Sequence, residues 1–348
     1  MKKLSKVLAV EKLPAVSEFS QDHLLVYDLY LEQIPHVKKW IRSFPFSYGV
    51  AAGEGLKDLF QFPQHLQKIL QLTKSMNSRN LEIIALGGGS VGDFTGFVAS
   101  IYKRGVRLVQ IPSTWLSAID SAHGGKTALN VADAKNQIGT FYSAERVYLC
   151  HELLMGQPLA RRQEAFGELF KIALLDSVSW QKDFQKYKDL DTLLWKTLKK
   201  AVQAKYKVVK KDPFEISGHR QILNLGHTFG HVLELSQGYP HGYAVTQGLR
   251  FALEWSFHRK MLSAQNYKKI LQIFEDFGME DARITHAKEI QKLKTQQVKD
   301  LLLKDKKRQG KASVTFIFLK NWGKPVRQSV SVDEMIQEIQ RQSWMGKK

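Results

Sequence analysis

Short apolar runs alternate with helical patterns through the first half of the chain. The runs at 24–27, 81–86, 108–111 and 146–150 are bounded by polar or turn-forming residues and predict buried strands. Residues 56–74 carry apolar side chains at helical spacing, and another helix is expected directly after the run at 81–86. Because strands that alternate with helices are typical of a parallel sheet, this half predicts an α/β domain.

The pattern changes after about residue 152. Long amphipathic helical patterns dominate from there on, and 314–319 is the exception that predicts a strand. We therefore predict an α/β domain over 1–152 and a mostly helical domain over 153–348. A chain of 348 residues, 43% of them hydrophobic, is long enough to build two cores.

Cysteine content and the N-terminus bear on the cellular compartment. A single cysteine, Cys150, excludes an internal disulfide framework and suits a reducing environment. The apolar run near the N-terminus is too short for a signal peptide and is interrupted by Glu11 and Lys12. No apolar run is long enough to span a membrane. The sequence therefore predicts a cytoplasmic protein without a membrane partner.

The chain is strongly basic, with 52 basic and 33 acidic residues and a formal net charge of +19. Such a charge can serve nucleic acid, a membrane surface or an anionic substrate. The lysines are spread widely, and no aromatic platform or nucleic-acid motif accompanies them. We interpret most of the charge as a solvated surface and expect a few cations to bind a small anion, with no nucleic-acid partner.

Three histidines indicate a metal site. His227 and His231 are four residues apart, so on a helix they lie one turn apart on the same face. His241 lies ten residues further on, where a turn could bring it to the same point. Imidazole is the commonest metal ligand, and catalytic Zn²⁺ typically takes three protein ligands. If His231 is not a ligand, it is still placed to act as an acid or base. The alternative is a pair of core histidines without a metal.

A glycine-rich turn is predicted between the strand at 81–86 and the following helix. Backbone N–H groups in the segment Gly87–Asp93 could approach a phosphate closely, and the helix N-terminus adds a favourable dipole. The segment is not the common G-x-G-x-x-G pattern. A tight turn without a ligand is the alternative, and the pyrophosphate of a dinucleotide is the more specific interpretation.

The chain carries nine recognisable segments, at 85–97, 102–105, 110–114, 120–127, 135–139, 167–171, 223–231, 241–242 and 304–307. Together they resemble the 3-dehydroquinate synthases, which belong to the sugar-phosphate cyclases. Their order and spacing agree with that family from about residue 50 to 325. The resemblance implies a Rossmann-like NAD-binding α/β domain, a mostly α-helical metal-binding domain and an active site in the cleft between them.

The family implies a reaction of the shikimate pathway, which supplies aromatic amino acids. 3-Deoxy-arabino-heptulosonate 7-phosphate is converted to 3-dehydroquinate and phosphate. NAD⁺ oxidises a substrate hydroxyl, phosphate leaves by elimination, and NADH reduces the ketone again. The ring then opens and closes as a carbocycle by an intramolecular aldol step. The resemblance thus implies a phosphate-eliminating carbon–oxygen lyase that depends on NAD and on Zn²⁺ or Co²⁺.

The resemblance also implies the residues that act on metal and substrate. Glu168, His227 and His241 would hold the metal. The residues implied in catalysis are Asp120, Lys126, Lys171, Glu215 and His231. The residues implied in binding a small anionic sugar phosphate are Arg104, Asn136, Lys205, Arg220, Asn224 and Lys306.

A third implied set binds the cofactor. Asp28 and Glu54 would accept hydrogen bonds from ribose hydroxyls, which favours NAD over NADP. Members of the family often form homodimers, so the resemblance favours a homodimer as well. The full implied cofactor set is Asp28, Glu54, Lys57, Gly88, Gly89, Asp93, Ser113, Thr114 and Lys135.

Several positions depart from the family pattern, among them Gly156, which falls where a threonine is usual. Tyr243 stands where the family usually has a glutamate close to the metal ligands, His123 replaces a small apolar residue, and Ala134 replaces a glycine. Loss of a residue that supports metal ligands commonly costs about 10- to 100-fold in metal affinity or activity. These departures remove no implied ligand or substrate cation, but they leave the rate and the substrate open.

Three other functions remain as alternatives. Another sugar-phosphate cyclase is disfavoured by Arg220, Asn224 and His231, where related cyclases tend to differ. A metal-dependent polyol dehydrogenase would not need so many cations for an uncharged substrate. An inactive scaffold that binds nucleic acid is disfavoured by the intact set of ligands and cations.

Overall fold

Two compact units make up the molecule. The first contains the described residues of 1–161 and 205–214, and the second contains those of 162–204 and 215–348. In the part of the chain that is described, no helix has the length and apolar character needed to cross a membrane. The computed structural model describes residues 4–77, 80–132, 134–286, 288, 293–304 and 313–345.

Strands are concentrated in the first unit and helices in the second. In chain order the strands are β1 (Lys6–Val10), β2 (His23–Asp28), β3 (Ser47–Val50), β4 (Glu82–Gly87), β5 (Arg107–Pro112), β6 (Lys126–Val131), β7 (Ala134–Phe141), β8 (Arg146–Cys150), β9 (Ser313–Asn321) and β10 (Lys324–Ser331). The α-helices are α1 (Pro35–Ile41), α2 (Phe62–Thr73), α3 (Gly89–Ile101), α4 (His151–Met155), α5 (Leu159–Asp176), α6 (Trp180–Lys186), α7 (Leu190–Lys211), α8 (His227–Gln237), α9 (His241–His258), α10 (Ala264–Asp276), α11 (Ala282–Thr285), α12 (Thr295–Lys304) and α13 (Val332–Arg341).

A six-stranded parallel sheet organises the first unit, with the spatial order β1-β8-β5-β4-β2-β3. β2 and β4 are buried almost throughout, as expected for nearly continuous apolar strands covered on both faces. From β2 the chain moves to β3 on one side, and then to β4, β5 and β8 on the other. The strand order therefore reverses between β2 and β4, which is where open α/β sheets bind ligands beyond the strands' carboxyl ends.

Two antiparallel hairpins stand apart from this sheet. In the first unit β6 pairs with β7, so that Lys126 lies opposite Phe141. In the second unit β9 pairs with β10. Trp255 of α9 packs against Phe316 and Phe318 of β9 at ring-centroid distances of 4.7 and 5.1 Å. The β9–β10 hairpin is thereby part of the helical core.

Aromatic side chains fill the core of the second unit around α5. The ring centroid of Phe170 lies 5.2 Å from that of Phe184, 4.9 Å from that of Phe274 and 5.9 Å from that of Trp322. Every residue of α5 from 165 to 175 is buried. A helix that is buried on all sides carries its polar side chains into the interior as well.

Close backbone contact joins α5 to α9. A Cβ atom added to Gly167 would lie 2.6 Å from the carbonyl oxygen of Gly242, and one added to Gly242 would overlap the carbonyl group of Glu164. Only glycine allows two helices to approach this closely. The contact brings together the neighbours of these glycines, Glu168 on α5 and His241 at the start of α9.

Most of the predicted elements are confirmed. The runs at 24–27, 81–86, 108–111, 146–150 and 314–319 form β2, β4, β5, β8 and β9, and the predicted fold class is confirmed. The helix predicted over 56–74 is wrong in its first part, because Glu54–Lys57 is a 3₁₀ turn and α2 begins at Phe62. Pro63 lacks an N–H and favours the first turn of a helix, which explains this start.

The contact between α5 and α9 yields a prediction. Gly242→Ala should destabilise the second unit by about 1–3 kcal/mol, since the new methyl group must push the helices apart. It should also weaken metal binding, because Glu168 and His241 then separate. Thermal unfolding and a Zn²⁺ titration would measure both effects. Gly55→Ala is the matched control, as nothing lies within 4 Å of the added Cβ; equal effects of the two variants would contradict the prediction.

Candidate metal centre and cofactor site

Three side chains of the second unit converge on one point. Oε1 of Glu168 lies 3.3 Å from Nε2 of His227 and 3.6 Å from Nε2 of His241. The three candidate ligand atoms all lie within 4.8 Å of one another. Ligands arranged tetrahedrally at about 2.0–2.1 Å from Zn²⁺ are about 3.4 Å apart. The spacing of this cluster therefore fits a single ion.

The carboxylate of Glu168 is deeply buried, with 1% of the residue exposed. Neither of its oxygens accepts a hydrogen bond of good geometry from the described residues. Lys171, also buried, brings Nζ to 2.5 Å from Oε2. Burial favours the neutral acid, but the Lys171 cation and the nearby imidazole of His227 hold the pKa of Glu168 well below its usual range. A buried carboxylate of this kind suits a divalent cation.

Both imidazoles direct Nε2 toward Glu168 because Nδ1 is engaged elsewhere. Nδ1 of His227 lies 3.3 Å from the carbonyl oxygen of Leu225, and Nδ1 of His241 lies 3.0 Å from Oε2 of Glu234. Each acceptor takes an N–H, which leaves Nε2 for a metal. Burial lowers the pKa of His227. Burial also opposes the charged form of His241, but the nearby carboxylates of Glu168 and Glu234 outweigh it and raise this pKa to about 10.

Several predicted substrate residues precede or begin α8. Arg220 is 5% exposed and lies with Asn224 in the 3₁₀ turn that leads to the helix. The ring of His231 is exposed, and its centroid lies 5.5 Å from that of His227. Glu215 has a left-handed backbone with φ of 55°. The roles of these residues stay predictions, and Lys306 lies outside the described residues.

Five predicted cofactor residues follow the carboxyl ends of adjacent strands in the first unit. Asp28 ends β2, Gly88 and Gly89 follow β4, and Ser113 and Thr114 follow β5. Gly88 caps the N-terminus of α3, where the first backbone N–H groups have no partner within the helix. A Cβ atom on Gly88 would lie 3.3 Å from a methyl carbon of Thr114. This edge therefore fits a dinucleotide pyrophosphate on the helix N-terminus.

An ion pair joins the buried Lys57 to Asp93, the fifth residue of the same helix. Nζ of Lys57 donates to Oδ2 of Asp93 at 2.8 Å and to Oδ1 of Asn136 at 2.5 Å. Burial raises the pKa of Asp93 in spite of the lysine. Asn130 extends the network, because its side chain donates to Glu54 at 2.7 Å and accepts the N–H of Asn136 at 2.8 Å. Lys57, a predicted cofactor residue, thus contacts Asn136, a predicted substrate residue.

A second polar cluster of the first unit contains Asp120 and Lys205. Nζ of Lys205 donates to Oδ1 of Asp120 at 2.8 Å and to its carbonyl oxygen at 2.5 Å. Nε2 of the buried His123 donates to the carbonyl oxygen of Ala118 at 2.9 Å, so Nδ1 accepts from the hydroxyl of Tyr206 at 3.0 Å. Burial and the Lys205 cation lower the pKa of His123 to about 3. An uncharged imidazole thus links the Asp120 turn to α7.

Three of the predicted cations are exposed. Lys126 begins β6 after Gly125, whose φ is +67°, and Lys135 lies on the open strand β7. Arg104 follows α3, so about 20 Å of helix separates it from Gly89. The chain does not bring Arg104 to the glycine turn, and its role in substrate binding stays a prediction.

Sequence reasoning missed three residues that support these clusters. Glu234 contacts His241, Tyr206 contacts His123, and Asn130 joins two predicted site residues. Glu234 had a detectable signal, because it lies seven residues after His227 and therefore on the same helix face. The contacts of Tyr206 and Asn130 join separate segments of the chain, so no regular spacing in the sequence indicates them.

Solved structures share this architecture. A 2-deoxy-scyllo-inosose synthase in complex with carbaglucose-6-phosphate, NAD⁺ and Co²⁺ has a TM-score of 0.81 at 21% identity, with 97% of this chain and 99% of that chain covered. The 2-epi-5-epi-valiolone synthase from Streptomyces hygroscopicus subsp. jinggangensis, with NAD⁺ and Zn²⁺ bound, also has a TM-score of 0.81, at 19% identity with 98% and 97% covered. A probable glycerol dehydrogenase from Sinorhizobium meliloti is more distant, with a TM-score of 0.60 at 12% identity.

Sequence comparisons are more specific. Residues 47–164 match the family model of the 3-dehydroquinate synthase N-terminal domain, and 165–308 match that of the C-terminal domain. A 3-dehydroquinate synthase of Francisella tularensis is 36% identical over 288 residues, covering 80% of this chain and 78% of that protein. One from Thermodesulfovibrio yellowstonii is 37% identical over 248 residues, covering 68% and 67%. The family models and the curated relatives show an enzyme of the NAD-dependent sugar-phosphate cyclase type. Within that class, the chain belongs to the 3-dehydroquinate synthase family.

Metal affinity should rise with pH. The pKa of His241 without metal is about 10, so between pH 6 and 9 an ion must displace one proton from its Nε2. We expect the affinity for Zn²⁺ to increase about tenfold per pH unit over this range. Competition with a chelator of known pH dependence would measure it. A pH-independent affinity would contradict the raised pKa of His241.

His123 should make the fold sensitive to acid. Its pKa of about 3 in the folded protein lies below the ordinary value of 6.5, so the unfolded chain binds the proton more readily. Its stabilising contribution is complete above pH 6.5 and is lost as the pH falls toward 3. Between pH 7.5 and 5 the loss is about 2 kcal/mol.

His123→Gln removes the titrating group but retains polar atoms. Its free energy of unfolding should therefore change less between pH 7.5 and 5 than that of the wild type, by about 2 kcal/mol. Denaturant unfolding at both pH values measures the difference. An identical pH dependence in the two proteins would show that His123 is protonated in the folded state or exposed.

Proposed function

We propose that the protein is a 3-dehydroquinate synthase that uses NAD and a divalent metal, Zn²⁺ or Co²⁺. It converts 3-deoxy-arabino-heptulosonate 7-phosphate, a small anionic sugar phosphate, to 3-dehydroquinate and inorganic phosphate. The reaction is a carbon–oxygen lyase reaction without net redox change. A homodimer is the expected assembly by analogy with the family.

One observation carries this proposal. Glu168, His227 and His241 converge at ligand spacing within a chain that matches both domain models of the 3-dehydroquinate synthase family. The oxygens of Glu168 are buried without well-formed hydrogen bonds from the described residues, so they can coordinate a metal. The strand-to-helix turn at Gly88 and Gly89 fits the pyrophosphate of NAD.

When bound, NAD would oxidise one substrate hydroxyl transiently, and the metal would lower the pKa of that hydroxyl. The chain's own residues hold the geometry. Lys171 keeps the carboxylate of Glu168 oriented through a contact of 2.5 Å. Lys205 holds Asp120, whose carboxylate we assign to accept a hydrogen bond from a substrate hydroxyl. His231, exposed one helical turn from His227, can hold the phosphate or exchange a proton with it near neutral pH.

Buried cations lie among the residues predicted to act on the substrate. Lys171, Lys205 and Arg220 are 2%, 4% and 5% exposed, respectively. Within the protein, the carboxylates of Glu168 and Asp120 compensate the charges of Lys171 and Lys205. The guanidinium of Arg220 can grip a planar carboxylate or a phosphate with two parallel hydrogen bonds. An uncharged polyol would not engage a guanidinium in this way.

Turnover should release one phosphate per substrate with no net formation of NADH. The hydride moves to NAD⁺ early and returns before product leaves. A phosphate assay and NADH absorbance, recorded together on the heptulosonate substrate, would measure this, and a chelator should stop phosphate release. Stoichiometric NADH accumulation would contradict the proposal and favour a polyol dehydrogenase. Phosphate release that resists exhaustive chelation would contradict the metal dependence.

Two matched variants extend this experiment. Arg220→Ala should weaken substrate binding by about 2–5 kcal/mol, because it strips a buried cation from its anion. Lys199→Ala should leave binding unchanged, since Lys199 is exposed on α7. Lys200 is not a suitable control, because its Nζ lies 2.5 Å from Asp183 and 4.3 Å from the ring centroid of Trp180. Equal effects at Arg220 and Lys199 would mean that the basic charge serves another ligand.

A further inference from the structure

His241 has both ring nitrogens engaged by carboxylates. Nε2 lies 3.6 Å from Oε1 of Glu168, the buried carboxylate of the candidate metal centre. Nδ1 lies 3.0 Å from Oε2 of Glu234, which belongs to α8. Because a carboxylate can only accept, and because 3.0 Å is a hydrogen-bond distance whereas 3.6 Å is not, Nδ1 carries the hydrogen that is donated to Glu234. Nε2 is therefore the nitrogen that a metal can take.

We propose that Glu234 is a positioning residue for the metal site. It acts through His241 by fixing the tautomer and the orientation of the imidazole, and it does not contact the ion. This inference rests on the proposed function, because it presupposes that Glu168, His227 and His241 hold the metal.

The two imidazole ligands differ in their need for such support. The side chain of His227 is 13% exposed, and its Nδ1 is held by the backbone carbonyl of Leu225. The side chain of His241 is 36% exposed and begins α9, where burial does less to restrict its rotation. A charged acceptor gives a stronger hydrogen bond than a neutral carbonyl. The more exposed ligand thus has the stronger orienting partner.

Glu234 is also well placed to serve as this support. It lies on the same helix as His227, two turns further on, so one rigid element sets the position of one ligand and orients another. Tyr243 does not replace it. The hydroxyl of Tyr243 is 3.5 Å from Nδ1 of His286, and its ring packs against that of Tyr239 at 5.2 Å. The departure at position 243 therefore leaves the hydrogen bond to His241 with Glu234.

A different role for Glu234 would be as a direct ligand. His231, Glu234 and His241 also have candidate ligand atoms within 4.8 Å of one another. An ion in this second cluster would use Nδ1 of His241, the nitrogen that already donates to Glu234. Two ions on one imidazole would require the loss of both N–H protons. We therefore favour the positioning role, and the experiment separates the two.

The test measures metal affinity, not turnover. The metal-free full-length protein is titrated with Zn²⁺ against a chelator, and with Co²⁺ by visible absorption. Glu234→Ala should bind Zn²⁺ about 10- to 100-fold more weakly than the wild type. Glu234→Gln should lie between them, because its amide oxygen still accepts from Nδ1 without the charge. The Co²⁺ spectrum of Glu234→Ala should change, since the ring of His241 is no longer held.

Two further variants make the outcome decisive. Leu235→Ala, an exposed neighbour on α8, is the matched control and should bind Zn²⁺ like the wild type. His227→Ala removes a ligand and should abolish tight binding; retained tight binding would overturn the metal site itself. If His227→Ala loses the metal but both Glu234 variants bind as the wild type does, the positioning role alone is wrong.

Stoichiometry tests the direct-ligand role. The positioning role predicts one tightly bound Zn²⁺ per chain, with His231→Ala binding it as the wild type does. Two tightly bound ions, one of them lost in both His231→Ala and Glu234→Ala, would make Glu234 a ligand and overturn the proposal. Should Glu234→Ala fail to fold, Glu234→Gln and its Co²⁺ spectrum provide the same comparison.

Discussion

The burial of the Glu168 carboxylate is the constraint on which the second unit depends. An ionised carboxylate in a protein interior is costly unless cations or a metal compensate its charge. Lys171 supplies one positive charge, and His227 and His241 direct nitrogens toward the same oxygen. Glycine contacts between α5 and α9 make this convergence sterically feasible. Helix packing and charge placement in this unit therefore both act to compensate the buried carboxylate of Glu168.

The first unit likewise holds polar groups in fixed positions, in this case at the carboxyl edge of its sheet. Reversal of strand order between β2 and β4 opens the carboxyl ends of adjacent strands, and the Gly88 turn exposes backbone donors there. Side chains near this edge are fixed by hydrogen bonds between distant segments, as in the contacts of Lys57 with Asp93 and Asn136. In both units, charged groups are buried and held by partners from other elements. Preorganised polar groups of this kind are what transient redox and elimination chemistry requires.

Local pattern predicted much of this fold, and the errors have physical causes. Buried parallel strands are continuous apolar runs, so β2, β4, β5 and β8 could be identified from the sequence. The hairpin of β6 and β7 could not, because β7 is largely exposed and lacks apolar alternation. The pair His227 and His231 indicated a metal, but helical spacing alone could not say that distant Glu168 would join His227. Glu168 could be predicted as a ligand only from the family resemblance, because a tertiary contact between distant residues leaves no local pattern in the sequence.

Residues that depart from the family pattern are also held by partners from other parts of the chain. His123 would be an unsatisfied polar group in a buried position, but the carbonyl of Ala118 and the hydroxyl of Tyr206 engage both ring nitrogens. Tyr243 likewise lies among aromatic rings, including that of Tyr239. Each unusual polar side chain has partners of its own and leaves the candidate ligands in place. Selection for the chemistry constrains the atoms that face metal, cofactor and substrate, whereas the surrounding residues need only satisfy packing and hydrogen bonding together. A divergent member of the family can therefore retain the reaction when a surrounding residue and the residues it contacts change together.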